Sequence, residues 1–183
     1  MTHPFERWFD ASLGPLFRAS LVLSLVVMAV LGTVDAGLRC PSAPLGIVSF
    51  EIAGASGAGP MLAGWSEAQR RDAIFVQGLD YLFLLVYSTA LASGALLLGR
   101  RHASRSRGLA GLARPAAWAL TLAGLFDAIE NTPMTVMLRT GEASPTGATI
   151  SLVFASAKFV LLALGIGYVL IATLALARTR ASA

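Results

Sequence analysis

Asp80, Asp127 and Glu130 stand inside stretches otherwise apolar enough to cross a bilayer, and Lys158 stands inside a fourth. A charge at mid-membrane costs about 2.5 to 3.5 kcal/mol on insertion scales, so a chain carrying four must compensate them internally. Such groups can transfer protons, accept hydrogen bonds from a ligand or hold a hard cation. Asp127, Glu130 and Asn131 fall at i, i+3 and i+4, so a helix presents all three on one face, and the same spacing sets Gln77 one turn from Asp80. Asp127 and Glu130 are the candidate catalytic pair, one carboxyl acting as acid while its neighbour acts as base, with Asn131 orienting them. Lys158 reads as their counter-ion, because the desolvation that a nucleophilic lysine needs is opposed by nearby carboxylates. Glu51, Gln77, Asp80, Tyr81, Asn131 and Lys158 are the candidate ligand-binding residues. Pro133 lacks the N–H that would bond the Ile129 carbonyl, which predicts a kink and a freed carbonyl beside Glu130. A structural alternative is that Lys158 pairs with one carboxylate while Asn131 and Tyr81 or Tyr87 bond the rest, locking the helices together. One lysine cannot neutralise three acids, however. The surplus must be protonated, bind a cation or face water, which favours function.

Four long apolar windows position these side chains: roughly 17–38, 70–99, 115–138 and 148–177, each able to cross about 30 Å of hydrocarbon. Counted from one membrane face, Asp80, Asp127, Glu130, Asn131 and Lys158 then share a layer about 10 to 20 Å deep, and Ser151 and Gly165 align with Lys158 to leave polar atoms and space beside it. The second helix has a readable start, since Ser66-Glu67-Ala68-Gln69 fits a capping box. Pro115 and Ser144-Pro145 give plausible starts for the third and fourth. A cleaved signal peptide is the alternative reading of the first window, because Val34-Asp35-Ala36 loosely imitates a cleavage site. The length of the leading segment, with Glu6 and Asp10 among its charges, argues against it.

Composition agrees with a membrane chain. Of 183 residues, 56% are hydrophobic and 13% charged, and the mean hydropathy is +0.71. The expectation is one all-α integral membrane domain over residues 1–183, a four-helix transmembrane bundle with a short interfacial or re-entrant helix between its first two long helices. The net charge of +4 invites a nucleic-acid partner. The arginines sit between and beside the apolar windows, where they set topology, so none is expected. Arg100, Arg101, Arg105, Arg107 and Arg114 lie between the second and third windows, Arg7 and Arg18 near the start, and Arg178 and Arg180 near the end. The positive-inside rule puts both termini and this loop in the cytoplasm of a multi-pass membrane protein. Cys40 is the single cysteine, and His3 and His102 are the two histidines, both outside the windows. A zinc or haem centre is therefore not expected, and no cofactor is assigned; an oxygen-rich site would suit magnesium or calcium if it took a metal at all.

Residues 45–53 are apolar apart from Ser49 and Glu51, too short to cross, and bounded by Pro44 and Gly54. They read as the short interfacial or re-entrant helix, followed by a flexible Gly54–Gly59 stretch. As a lid over the charged layer this segment would aim Glu51 at the site. As a surface helix it would leave Glu51 in water and Trp65 among headgroups.

GIVSFEIAG, GLDYLFLLVYS and LFDAIEN together give the chain its resemblance to uncharacterised bacterial four-helix integral membrane proteins. That resemblance implies that Glu51, Asp80, Tyr81, Asp127, Glu130 and Asn131 act as a set. In topology alone the chain is similar to EXPERA-type proteins, whose four-helix bundles enclose acidic residues in a ligand cavity. Three functions follow: binding of a small lipophilic or amphipathic ligand, such as a membrane lipid, with or without proton-transfer catalysis; cation or proton translocation by a homo-oligomer; or a non-catalytic assembly subunit with a structural polar cluster. Whether the protein is an enzyme stays open at this level.

Overall fold

The computed structural model describes residues 2–181, with side chains through residue 178, so the Arg180 side chain of the topology argument lies outside the described residues. All regular structure among these residues is helical: α1 (Pro4–Trp8), α2 (Leu13–Asp35), a 3-10 turn (Ala36–Leu38), α3 (Ile47–Glu51), α4 (Gly54–Gly64), α5 (Glu67–His102), α6 (Arg107–Thr140) and α7 (Pro145–Ala181). Four helical stretches are long and apolar enough to cross a membrane, Leu13–Leu38, Glu67–His102, Arg107–Thr140 and Pro145–Arg178. The chain thus has the makings of a multi-pass membrane protein.

The starts of α5 and α7 match their sequence signals. Ser66 Oγ accepts from the Gln69 N–H at 3.2 Å while Gln69 Oε1 accepts from the Ser66 N–H at 3.0 Å, the reciprocal cap that satisfies two exposed donors. Ser144 Oγ accepts from the Gly147 N–H at 3.1 Å. The Pro115 expectation fails: α6 begins at Arg107, eight residues earlier, and Pro115 lies inside it. Ser106 supplies the cap, its carbonyl accepting from Ala110 at 3.0 Å and its hydroxyl from Leu109 at 3.4 Å. An N-terminal serine cap thus overrides a proline that a helix tolerates with a local break in its ladder.

The segment between α2 and α5 also differs from expectation. In place of one short helix and a flexible stretch there are two short helices, and Gly54–Gly59 lies within α4. Gly54, at φ +62°, separates them; this left-handed conformation is cheap only for glycine. Ala58 and Leu62 are buried, and their packing fixes α4 despite its glycines. Trp65 is buried too, with Nε1 donating to the Leu38 carbonyl at 2.8 Å. A ring held in this way is part of a core and not a headgroup anchor.

The chain divides into two compact units, each taking a portion of every long helix. The first comprises residues 1–24, 86–124 and 159–183 and the second residues 25–85 and 125–158. In the first, Leu13, Leu96, Leu120 and Tyr168 gather around small residues such as Ala92, Ala117 and Ala172. Gly165 lies here against Leu120, whose side chain occupies the place a Cβ would take, so Gly165 leaves no open space beside Lys158. In the second, Leu38, Ile47, Phe50, Leu62, Trp65, Val76, Met134 and Met137 form the core. Close packing of this kind holds side chains in single rotamers, which a buried polar centre requires.

Candidate functional site

All the expected charged residues fall in the second unit. Lys158, on α7, is 5% exposed, and its Nζ donates to Glu51 Oε2 at 3.1 Å, to Asp127 Oδ1 at 3.1 Å and to Glu130 Oε1 at 2.5 Å. The ammonium therefore spends its three N–H groups on three carboxylates. Asp127 and Glu130 come from one face of α6 as their spacing predicts. Glu51 comes from α3 and is 7% exposed, which settles its direction: it turns inward and not into water.

The position of Glu51 is fixed from the other end of its helix. Asp35, the last residue of α2, caps α3 by accepting from the Ile47 N–H through Oδ1 at 2.7 Å, and the Leu45 N–H donates to Ser49 Oγ at 2.8 Å. Gly46 makes the turn at φ +62° with its Cα against the Asp35 carboxyl, where any Cβ would overlap it. Phe50, 1% exposed, packs against Trp65 with ring centroids 5.6 Å apart. Burial pushes the Glu51 carboxyl above the usual carboxylate range, with the Lys158 ammonium opposing the shift.

A second polar branch joins α5 to α6. Gln77 Nε2 donates to Asn131 Oδ1 at 2.8 Å, and Asn131 Nδ2 donates to Asp80 Oδ2 at 2.6 Å. Asn131 is wholly buried, Gln77 nearly so, and Asp80 half-buried. Asp80 is thus brought to the layer as an acceptor held by an amide. Tyr81 is not gathered into either branch: it is 36% exposed and its hydroxyl meets Thr132 Oγ1 at 3.3 Å.

Ser151, fully buried on α7, donates to the Glu130 carbonyl and to its own Gly147 carbonyl, both at 3.2 Å. Ser151 thus bonds the carbonyl one residue beyond that of Ile129, the one that Pro133 leaves without its helical donor. Glu130 itself is 0% exposed, and its Oε2 has no hydrogen-bond donor among the described residues. Ser151 was recognisable from its seven-residue spacing to Lys158. Asp35 was not, since its capping role depends on a contact across 12 residues of chain.

Chemically, the centre has excess acceptors. Lys158 offers nothing further to an anion, whereas the carboxylates can still take a proton, an ammonium or a hydroxyl donor. Among the described residues, no group of three or more His, Cys, Asp or Glu side chains is arranged to hold a metal ion. No family model, curated protein or solved structure matches the chain. What the chain can be likened to, then, is set by its own chemistry: a helical membrane protein with a lysine shared among three buried carboxylates.

Proposed function

We propose that this is an integral membrane protein whose buried acidic centre binds a small lipophilic or amphipathic ligand bearing a cationic or hydroxylated group. The observation that carries the reading is the saturation of Lys158 by Glu51, Asp127 and Glu130 while Glu130 Oε2 lacks a donor. A centre short of donors selects donors. In this reading Asp127 and Glu130 are the groups that exchange protons if catalysis accompanies binding, Asn131 orients Asp80, and Glu51 closes the centre. Placement in a bacterial inner membrane with both termini cytoplasmic belongs to the same proposal, supported by the arginines between α5 and α6. The bacterial four-helix resemblance is consistent with it.

The test is native mass spectrometry of detergent-purified wild type against an Asp127→Asn/Glu130→Gln variant matched for folding. Wild type retains a lipid or organic cation that the variant loses. Two empty, equally stable proteins would overturn ligand binding. A second reading, proton translocation by a homo-oligomer, draws on the complete burial of Glu130, where a proton fits without added space. Proteoliposomes with a trapped pH dye test it: the wild type collapses an imposed proton gradient faster than the variant.

A further inference from the structure

Glu51 and Glu130 are drawn side by side by one ammonium, Lys158 Nζ lying 3.1 Å from Glu51 Oε2 and 2.5 Å from Glu130 Oε1, yet two ionised carboxylates are acceptors only and repel. Lys158 accounts for one oxygen of each, Glu51 Oε2 and Glu130 Oε1, and the remaining oxygen of Glu130 is buried without a donor. An unsatisfied buried oxygen and the repulsion of two carboxyls gathered on one ammonium are both resolved by the same hydrogen atom. We infer that Glu51 and Glu130 together form a proton-binding site, one exchangeable proton converting either carboxyl into a donor toward the other. This deepens the acid-centre reading and rests on it, while assigning the proton to a different pair from Asp127 and Glu130, the pair expected from spacing.

The surroundings favour one bound proton. From α6 the pair faces Asp127, from α7 Lys158, and from α5 Asp80 through Asn131; α4 carries no ionisable side chain. With Glu51, Asp127 and Glu130 all ionised around one ammonium the centre holds a net charge of two negatives, and the shared proton halves it. The site also has a mechanical output. Glu51 ends a five-residue helix bracketed by Gly46 and Gly54, both at φ +62°, whereas Glu130 sits within a helix of 34 residues. When the proton leaves, two like charges are left beside one ammonium, and α3 is the partner able to yield. The proton is therefore the latch that holds α3 on α6.

Infrared spectroscopy of the full chain in lipid vesicles tests this without any ligand, so its outcome is separate from the retention experiment. Wild type shows a carboxylic-acid C=O band that shifts in D2O and moves when glutamate, but not aspartate, carries a 13C carboxyl. The band is lost in both Glu51→Gln and Glu130→Gln, because a glutamine amide supplies the N–H that replaces the proton, and it persists in Asp80→Asn. The wild-type labelling alone decides the matter should a variant misfold. Absence of any carboxylic-acid band, or a band that follows the aspartate label, would overturn the assignment.

Discussion

The two units of the chain differ in the charge they bury. In the first, acids and bases pair one to one at the surface: Glu6 with Arg114 at 2.8 Å, and Asp10 with Arg100. His3 caps α1 there and touches Thr121 Oγ1 at 3.2 Å. Burial raises the Glu6 carboxyl, but the Arg114 guanidinium and the His3 N–H outweigh it and hold it below the usual range; burial likewise lowers the His3 imidazole against the pull of Glu6. The second unit has such pairs as well, Glu67 with Arg71 at 3.0 Å and Asp35 with Arg39 at 4.0 Å, but in addition three acids share one base there, and those four side chains are buried. Paired surface charges are nearly interchangeable with water, whereas a buried centre short of positive charge depends on every partner it has.

The sharpest way to break the contrast is to delete the lysine. Lys158→Met leaves three buried carboxylates without a counter-ion and should cost about 3–5 kcal/mol, measured by denaturant unfolding in mild detergent. Adding Asp127→Asn and Glu130→Gln to Lys158→Met should recover much of the loss. Next comes Asn131→Leu, which strands Gln77 and Asp80 together and should cost about 1–3 kcal/mol in the same assay. Gly46→Ala forces an alanine to φ +62° against Asp35 and should cost about 1–3 kcal/mol, with lost hydrogen-exchange protection concentrated in α3. Arg114→Met in the first unit should have the smallest effect, and raised salt should mask it.

A pH series separates the units by sign. Glu51, raised by burial, stabilises when protonated; its contribution is complete below the ordinary value of 4.5 and is lost as pH rises through its folded value. Glu6, lowered by Arg114, contributes above 4.5 and loses that contribution as pH falls. Exchange protection, corrected for intrinsic rates, should therefore fall in α3 toward high pH and in α1 toward low pH. Protection falling in both helices in the same direction would remove the distinction.

Much of this architecture was legible from spacing. The four long helices follow from apolar length, the α5 start from Ser66 and Gln69, and the shared face of Asp127, Glu130 and Asn131 from helical period. What local pattern could not carry was the partner of each group. Glu51 meets a lysine 107 residues away, and its inward turn depends on Asp35 and Gly46 acting together. Tyr81 follows Asp80 directly, and that single step turns it about 100° off the polar face. Gly165 keeps the right period from Lys158, but Leu120 fills the volume that a glycine seemed to promise. Period predicts direction, and only packing decides what is met there.

Chain order adds a consequence for biogenesis. Glu51, Asp127 and Glu130 all precede Lys158, which arrives on the last long helix. During synthesis the acids are made before their common counter-ion, so the ion-paired centre of the second unit cannot form until Lys158 has emerged. A chain interrupted before residue 158 would keep the three carboxylates and lack the one cation that the finished fold sets among them.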